Sequence, residues 1–415
     1  MNATAMNRWA PALLLAVWAG GARAQLKIAY IDPLSGLMAA TGEHGLRELQ
    51  YNAERINARG GIQGQKIEVV PMDNKLSPQE SLVLLNKAID EGIRYVMQGN
   101  GSSVAAALID GVNKNNARNP DKSVVFLNYA AVDPDFTGPK CSFWHFRFDA
   151  NSDMKLQAIM SSIVNEKSIK KVYMINQDYQ FGHQVSKTAK DLLKQKRPDV
   201  ELVGDELHPL AKVKDFAPYV TKIQSSGADT VITGNWGSDL ALLIKAANDG
   251  GLKANFYTFY AGVVGATNAI GPAGVGRVKV VSFWGPNAKD VPAKTTKYIQ
   301  DFKKKFGPGE DPYTIDMPTI LEMLERAAAQ AKSTDPVKVA QALEGLKVDG
   351  YFGPVEMRKD DHQLIQPLFV ETFVKADAKQ RNKADGTSDY GFRQDIRMEG
   401  SATARPTTCK MQRPA

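Results

Sequence analysis

Cysteine is scarce in this chain, and its scarcity excludes two kinds of architecture. Two cysteines among 415 residues are too few for a scaffold built on disulfides or for a zinc site made of four thiolates. Blocks of like charge are also absent, although the net charge is +7. A basic arm for nucleic acid would need such a block, so we expect no nucleic-acid partner.

Enzyme motifs are missing as well. The sequence contains no GxxxxGK[ST], HExxH, CxxC or GxSxG motif, the patterns that mark phosphate loops, zinc peptidases, redox pairs and nucleophile elbows. Its five histidines are scattered, with no pair four residues apart. We therefore expect no cofactor, no metal site and no catalytic residues, and we rank an exported hydrolase below a ligand-binding protein.

Long hydrophobic runs are limited to one segment near the start. Trp9–Gly20 is apolar, Arg8 precedes it, and Ala22–Ala24 has the small-x-small pattern that signal peptidase cleaves. The run is about half the roughly 20 residues that a membrane span needs. We therefore interpret residues 1–24 as a cleaved signal peptide rather than a membrane anchor, and we expect a periplasmic protein.

Export to an oxidising compartment changes the interpretation of the two cysteines. An isolated pair in such a compartment forms a disulfide more often than it stays as two thiols. We therefore predict a bond between Cys141 and Cys409 that ties the end of the chain to its body. Two unpaired thiols are the alternative.

What the sequence does contain is the composition and pattern of a globular α/β protein. Hydrophobic residues make up 43% and charged residues 23%, and the mean hydropathy of −0.31 excludes a multi-span membrane protein. Strand and helix patterns alternate along residues 26–127 and again along residues 154–259. Such alternation is typical of parallel sheets covered by helices on both faces. We expect two such units, with Cys141–Asp149 and Val278–Phe283 as extended crossings between them.

The last part of the chain has a different pattern. Three helix patterns follow one another, then two strand patterns, and residues 376–415 are polar and expected to form an irregular tail. The predicted helices and strands cover residues 292–306, 314–332, 335–345, 353–357 and 364–374. We accordingly predict a first lobe from residues 25–147 and 284–350, and a second lobe from residues 148–283 and 351–415.

The predicted strand ends carry candidate ligand-binding residues. In an open α/β sheet, ligands bind beyond the carboxyl ends of the strands. Gly101, Ser102 and Ser103 follow such a strand and begin a helix. Hydroxyl and free N–H groups at a helix N-terminus favour an anion, most simply a carboxylate. A helix N-cap is the commoner role of a serine at this position, and one residue can serve both roles.

Small and aromatic residues stand at the other strand ends. Ala130 and Ala131 would leave room for a ligand against the backbone, and aromatic rings could enclose its apolar part. The aromatic candidates in the second unit are Tyr179, Phe181, Trp236 and Tyr260. Ordinary core packing is an equally common role for each of them.

Several short motifs occur in an order that resembles one family. They are Pro33–Gly36, Asn57–Gly64, Asp73 with Ser77 and Pro78, Gly99–Ser103, Phe146–Phe148, Asp178–Gly182 and Gly353–Val355. Over residues 26–375 the chain resembles the periplasmic substrate-binding proteins of branched-chain amino acid ABC transporters, which have the type I periplasmic binding protein fold. The resemblance implies an α/β fold of two doubly wound parallel-sheet lobes joined by three hinge crossings.

The resemblance also implies a function and roles for single residues. Members of this family close on one small ligand and deliver it to a membrane permease. By position, Ser102 or Ser103 would bind the ligand carboxylate. The carbonyl of Ala130 would accept a hydrogen bond from a ligand ammonium, and Tyr179 would be the aromatic side chain of the second lobe. We expect a monomer, because hinge closure needs a free cleft.

Two positions depart from the family pattern. Val132 stands where leucine-binding relatives carry a threonine, and the loop Tyr260–Gly262 lacks the acid that they use against the ammonium. Because an unpaired buried charge is costly, a site without these partners would discriminate against an amine. Asp133 or Asp239 could replace the missing acid; otherwise the ligand is an aromatic or aliphatic acid. A periplasmic ligand sensor for a signalling partner is the alternative function.

Overall fold

The computed structural model of the protein describes residues 25–263, 266–308, 310, 312, 316–377 and 389–414. The predicted signal peptide at residues 1–24 lies outside these ranges. Within them, no helix combines the length and the apolarity that crossing a membrane requires.

The first part of the chain forms a parallel sheet with helices on both faces. Its strands are β1 (Leu26–Asp32), β2 (Ile67–Asp73), β3 (Tyr95–Gln98), β4 (Val125–Asn128) and β5 (His145–Arg147). The helices between them are α1 (Ala39–Ala58), α2 (Pro78–Asp90) and α3 (Ser102–Arg118). The strand order is β2-β1-β3-β4-β5. Ser77 caps α2 by accepting a hydrogen bond from Glu80 N, and Pro78 follows it at the first helical position.

A second run of alternating elements follows. Its helices are α4 (Ser152–Asn165), α5 (Gln180–Lys196), α6 (Ala217–Ser225), α7 (Gly237–Asp249) and α8 (Ala266–Ile270). Its strands are β6 (Lys171–Gln177), β7 (Glu201–His208), β8 (Thr230–Thr233), β9 (Asn255–Thr258) and β10 (Val278–Ser282). These strands pair in parallel, which is what buried strands separated by helices favour.

The last part of the chain completes the second sheet and adds a small one. Its helices are α9 (Ala293–Phe306), α10 (Asp316–Ala331), α11 (Pro336–Leu343) and α12 (Gly400–Thr403). Its strands are β11 (Lys347–Gly350), β12 (Gly353–Met357), β13 (Leu364–Ile365), β14 (Leu368–Lys375) and β15 (Tyr390–Met398). Strands β11 to β13 form a small antiparallel sheet. Strands β14 and β15 join the second sheet in antiparallel pairing, giving the order β15-β14-β10-β9-β8-β6-β7.

Each of the two large sheets has a hydrophobic core on both faces. Helices α1, α10 and α11 cover one face of the first sheet, and α2 and α3 cover the other. Helices α4 and α5 cover one face of the second sheet, and α6 and α7 cover the other. We call the first sheet with its helices the first lobe, and the second sheet with its helices the second lobe. This two-lobed α/β architecture confirms the predicted fold class.

The chain passes between the lobes after β5, after β10 and between β13 and β14. Residues 278–282, predicted as a crossing, are strand β10 of the second sheet, and the crossing follows them. The single strand predicted over residues 364–374 is divided at Pro367, because proline has no N–H for the ladder. The lobe boundaries predicted from the sequence put β12 and β13 in the second lobe. In the structure, these strands pack against the hydrophobic core of the first sheet.

The end of the chain is more ordered than the sequence predicted. Strand β15 lies inside the region expected to be an irregular tail, and it pairs with β14 at the edge of the second sheet. Beyond α12 the chain returns to the first lobe, where Cys409 and Cys141 form the predicted disulfide bond. Arg413 Nε then donates a hydrogen bond to Glu344 Oε1 at 2.7 Å. The tail is therefore a fourth connection between the lobes.

Candidate functional site

A cavity lies between the two lobes, at the carboxyl ends of the parallel strands, where open α/β sheets bind ligands. Its empty volume is about 1200 Å³, part of which is open to solvent. The first lobe contributes residues after β3 and β4. The second lobe contributes residues after β6, β8 and β9 and side chains of β10, β14 and β15. The aromatic lining residues are Tyr129, Tyr179, Phe181, Trp236, Phe259, Tyr260, Phe283, Trp284 and Phe392.

The two lobes touch each other beside this cavity. Met38, which precedes α1 in the first lobe, is buried in the hydrophobic core of the second lobe. A Cβ atom at Gly237 would lie 2.4 Å from Met38 Sδ, so only glycine fits there without a shift of the neighbouring side chain. Ser238 Oγ contacts the same sulfur at 3.8 Å. The two lobes are therefore in direct contact on this side of the cavity.

The loop between β3 and α3 presents a helix N-terminus to the cavity. Gly101 has a φ of 92°, a left-handed value that favours glycine. Ser102 is the first residue of α3, is buried and lines the cavity. Ser103 is exposed and does not line it. The partial positive charge of the helix N-terminus therefore lies beside Ser102, in an arrangement that favours an anion.

A buried carboxyl group fixes the conformation of this loop through hydrogen bonds to its backbone. Asp32, at the end of β1, accepts hydrogen bonds from Gly99 N at 3.1 Å and Asn100 N at 3.0 Å. Tyr129 donates to the same carboxyl group at 2.7 Å. Burial raises the pKa of Asp32 to about 7, although these hydrogen bonds oppose the rise. The conformation of the loop thus depends on a group that does not line the cavity.

The small residues after β4 lie along the next part of the wall. Ala130, Ala131 and Val132 all line the cavity, as predicted from their position after a strand. Asn128 fixes their backbone, because its Oδ1 atom accepts hydrogen bonds from the N–H groups of Ala130 at 3.2 Å and Ala131 at 2.8 Å. The carbonyl of Val132 accepts a hydrogen bond from Ser152 N at 2.9 Å. These residues therefore present a rigid surface that is free of large side chains.

The four aromatic candidates of the second lobe all line the cavity. Trp236 Nε1 donates to the hydroxyl of Tyr179 at 2.8 Å. The rings of Tyr179 and Phe181 are 5.9 Å apart, and those of Phe181 and Tyr260 are 6.3 Å apart. These separations are typical of interacting aromatic pairs. The residues form one continuous apolar wall, in which the Trp236 ring N–H and the Tyr179 hydroxyl are paired with each other.

The two acids proposed from the sequence as ammonium partners do not line the cavity. Asp133 Oδ1 accepts a hydrogen bond from Asp135 N at 3.0 Å and so caps a short turn. Asp239 Oδ2 accepts hydrogen bonds from Gln177 Nε2 at 2.8 Å and Ala211 N at 2.9 Å. Both carboxyl groups therefore stabilise local structure of the protein.

Three charged residues that the sequence analysis did not propose line the cavity instead: Asp149, Lys155 and Glu371. Lys155 Nζ lies 2.6 Å from Asp149 Oδ2, and both side chains are buried. The same ammonium lies 4.7 Å from the ring centroid of Tyr260, a cation–π contact. Burial raises the pKa of Asp149, and the neighbouring Lys155 opposes that rise. Among the described residues, Asp149 Oδ1 has no hydrogen-bond partner.

The sequence carried only a weak signal for these residues. Asp149 ends the extended segment at the first crossing, Lys155 follows that segment, and Glu371 interrupts an apolar strand. A charged residue inside an apolar strand is unusual, since such residues are buried only with partners. Within the ranges that the structure describes, no three His, Cys, Asp or Glu side chains come together as a metal site.

A family model matches most of the chain. Residues 25–379 match the model described as periplasmic binding protein. The chain belongs to the periplasmic binding protein family. It is thus a member of a family of solute-binding proteins rather than of enzymes, and the family resides in the periplasm and works with ABC permeases.

Individual relatives agree with this assignment. The Leu/Ile/Val-binding protein homolog 4 of Brucella melitensis is 34% identical over 410 residues, which cover 97% of this chain and 96% of the relative. The leucine-, isoleucine-, valine-, threonine- and alanine-binding protein of Brucella ovis, in a closed conformation, has a TM-score of 0.81 and 32% identity. That alignment covers 94% of this periplasmic binding protein and 100% of the Brucella ovis chain.

A more distant structure shares the fold alone. A solute-binding protein of Rhodopseudomonas palustris in complex with 3,4-dihydroxybenzoic acid has a TM-score of 0.76 and 18% identity. The alignment covers 91% of this chain and 98% of the other. The two-lobed architecture is therefore shared by proteins whose named ligands differ in chemistry.

Proposed function

We propose that this protein captures a small carboxylate ligand of the amino acid type in the cavity between its lobes and delivers it unchanged to the membrane permease of an ABC importer. The observation that carries the proposal is the meeting of Ser102, at the N-terminus of α3, and the aromatic wall of the second lobe in one cavity. We further propose that residues 1–24 are removed on export, so that the protein acts in the periplasm.

The carboxylate of the ligand would bind at the N-terminus of α3. Ser102 can donate a hydroxyl hydrogen bond, and the first N–H groups of a helix have no partner within it. Hydrogen bonds to a charged group contribute about 1.5–3 kcal/mol each, roughly twice the neutral value. The Asp32 carboxyl group, which accepts hydrogen bonds from Gly99 N and Asn100 N, would keep this loop in place before the ligand arrives.

The amine of the ligand would bind near Asp149. This carboxyl group lines the cavity, and its Oδ1 atom has no partner among the described residues. Asp149 is the last residue of the extended segment at the first crossing. Asp149 would thus take the role of the acid missing from the loop Tyr260–Gly262, because a buried ammonium needs a carboxylate partner.

The relatives support an amino acid over an acid without an amine. The Brucella melitensis relative with 34% identity and the Brucella ovis relative with 32% identity are both named for leucine, isoleucine and valine. We propose that the two lobes move as units about the three crossings and that a ligand stabilises the closed arrangement, since it contacts both.

Thermal unfolding with a panel of ligands tests this proposal. Leucine, isoleucine, valine and their deaminated analogues would be added to the mature protein. At a hundredfold excess over the dissociation constant, a true ligand stabilises the folded protein by about 2.7 kcal/mol. Stabilisation by the amino acids and not by the analogues would support the assignment of the amine. If no small carboxylate of any kind shifts the unfolding temperature, the proposed function is wrong.

Delivery to a permease needs a second measurement. Uptake of the radiolabelled ligand would be compared between cells with and without the gene for this protein. Loss of uptake on deletion, restored by the wild-type gene, is the expected result. Unchanged uptake would favour a role in ligand sensing.

A further inference from the structure

Glu371 is a buried carboxyl group that neither end of the proposed amino acid site uses. It lies in β14, its residue is 2% exposed, and it lines the cavity. Among the described residues, its Oε1 atom has no hydrogen-bond partner. Burial raises the pKa of Glu371 well above its usual range, and the nearby Asp395 carboxyl adds to the rise. An unpaired buried polar atom destabilises a fold, so a ligand group that pairs with Glu371 Oε1 would offset this cost.

The cavity wall next to Glu371 is largely apolar. Val280 on β10, one of its two register partners, lines the cavity. The other, Gln394 on β15, does not line it, and its Oε1 atom is likewise buried without a hydrogen-bond partner among the described residues. Phe392 on β15 lines the same side, and a Cβ atom at Gly262 would lie 3.7 Å from the Phe392 ring. A polar group of the ligand placed here is therefore enclosed by apolar walls, and the Glu371 carboxyl is the natural acceptor for it.

The position of Glu371 in the sheet makes the cavity long. Trp236 follows β8, and β8 is separated from β14 by β9 and β10 in the strand order. Neighbouring strands lie about 4.8 Å apart, so the wall from Trp236 to Glu371 extends about 14 Å. A branched-chain amino acid bound at the aromatic wall would leave the β14 side of the cavity unfilled.

We propose that Glu371 accepts a hydrogen bond from an uncharged donor, a hydroxyl or an amide N–H, at the end of the ligand remote from its carboxylate. This inference rests on the proposed function and narrows it: the preferred ligand is an elongated acid with a polar terminus. An uncharged donor is favoured because its pairing does not require the buried carboxyl group to ionise.

Matched pairs of acids that differ by one terminal hydroxyl test the inference. Tyrosine with phenylalanine and 5-hydroxynorvaline with norvaline would be titrated calorimetrically into the full mature protein. We expect the hydroxyl member of at least one pair to bind about tenfold more tightly, which corresponds to about 1.4 kcal/mol. Glu371→Leu should abolish this preference, and Glu371→Gln should keep it because the amide oxygen still accepts.

A matched control separates the site from a general effect of losing a glutamate. Glu356 lies on β12, does not line the cavity and pairs with Lys347 at 3.2 Å. Glu356→Leu should leave the preference unchanged. Ligand-free Glu371→Leu should unfold at a higher temperature than the wild type, since it loses an unpaired buried polar group. That result would show that the variant is folded.

The outcomes distinguish the inference from the proposed function. Equal binding within both pairs, or a preference that survives Glu371→Leu, would overturn the role of Glu371 and leave the proposed function standing. Binding of aliphatic amino acids without binding of any hydroxyl acid would also overturn the role of Glu371 and leave the proposed function standing. Failure of every carboxylate to bind the wild type would overturn the proposed function and the inference together.

Discussion

The hydroxyl of Tyr129 donates a hydrogen bond to Oδ2 of Asp32 at 2.7 Å and so joins the ends of β4 and β1 beneath the loop that begins α3. The same carboxyl group accepts the N–H of Gly99 and of Asn100. Tyr129 lines the cavity, whereas Asp32 does not. The placement of Ser102 therefore depends on an acid that the ligand never contacts.

This buried acid predicts a pH dependence of stability. Burial raises the pKa of Asp32 from its ordinary 3.8 to about 7. Between these values the folded state binds a proton that the unfolded state has released, so the contribution of Asp32 to stability is complete below the lower value. It is lost as the pH rises through the higher value, by an amount on the order of 4 kcal/mol.

Asp32→Asn isolates this contribution, because asparagine does not titrate. We expect the free energy of unfolding of the wild type to fall relative to that of Asp32→Asn as the pH rises across the window. Urea unfolding at several pH values measures the difference. Parallel stability curves for the two proteins would show that Asp32 does not titrate there.

The two serines at the start of α3 provide a matched pair of variants. Ser102 lines the cavity and Ser103 is exposed. Ser102→Ala should weaken binding of the ligand by ten- to hundredfold, since a hydrogen bond to a charged group contributes about 1.5–3 kcal/mol. Ser103→Ala should leave the dissociation constant unchanged. Calorimetric titration of the ligand into both variants measures the two dissociation constants. If the two substitutions changed them equally, the ligand carboxylate would bind elsewhere.

The buried pair of Asp149 and Lys155 predicts a non-additive effect on stability. Asp149→Asn leaves the Lys155 ammonium without its partner at 2.6 Å. Removal of one partner of a buried pair costs about 3–5 kcal/mol, whereas replacement of both by apolar groups is often neutral. We therefore expect Asp149→Asn to destabilise the protein strongly and Asp149→Leu with Lys155→Met to restore most of the loss.

Urea unfolding of Asp149→Leu, of Lys155→Met and of the double variant measures this coupling. Additive losses would mean that the two groups stabilise the fold independently. The double variant should also lose its discrimination between leucine and the deaminated analogue, because it has no carboxylate for the amine. Retained discrimination in a folded double variant would assign the ammonium to another acid.

How much of this molecule could be predicted from its sequence depends on how local each signal is. The Ser77 cap and the strand–helix alternation depend on neighbouring residues, and the structure contains them. Strand β15 was missed because its exposed residues, Arg393, Asp395 and Arg397, are all charged, and because its pairing with β14 is not visible in the residues of either strand. An edge strand with polar alternate positions resembles a polar tail when its neighbour is unknown.

Prediction of the cavity residues was limited in the same way, because only those with a local sequence signal could be found. Ser102, Ala130 and Trp236 were predicted because each follows a strand and the carboxyl ends of parallel strands share one edge. Asp149 and Glu371 were not, because their exposure to a cavity depends on contacts between lobes. A single charged residue at a crossing gives no sign of whether it lies in water or in a cleft.

The disulfide bond between Cys141 and Cys409 predicts a large effect of reduction. It closes a loop with a sequence separation of 268, and the loop-entropy relation gives a stabilisation of about 5.6 kcal/mol for closures of this length. A reducing agent should therefore lower the unfolding temperature of the wild type. The variant Cys141→Ser with Cys409→Ser should start lower and not respond. Equal unfolding temperatures with and without reductant would show that the bond adds no stability.

Because the C-terminal tail returns to the first lobe, its position determines where fluorescent labels can detect motion of one lobe relative to the other. Strand β1 belongs to the first sheet, and Arg413 is held on the same lobe by Glu344 although β15 belongs to the second sheet. Fluorophores placed near the two termini would consequently travel together, and their energy transfer would stay constant while the cleft opened. One dye near Arg413 and another on the exposed turn at Gly227, between α6 and β8, would sit on different lobes and register the motion.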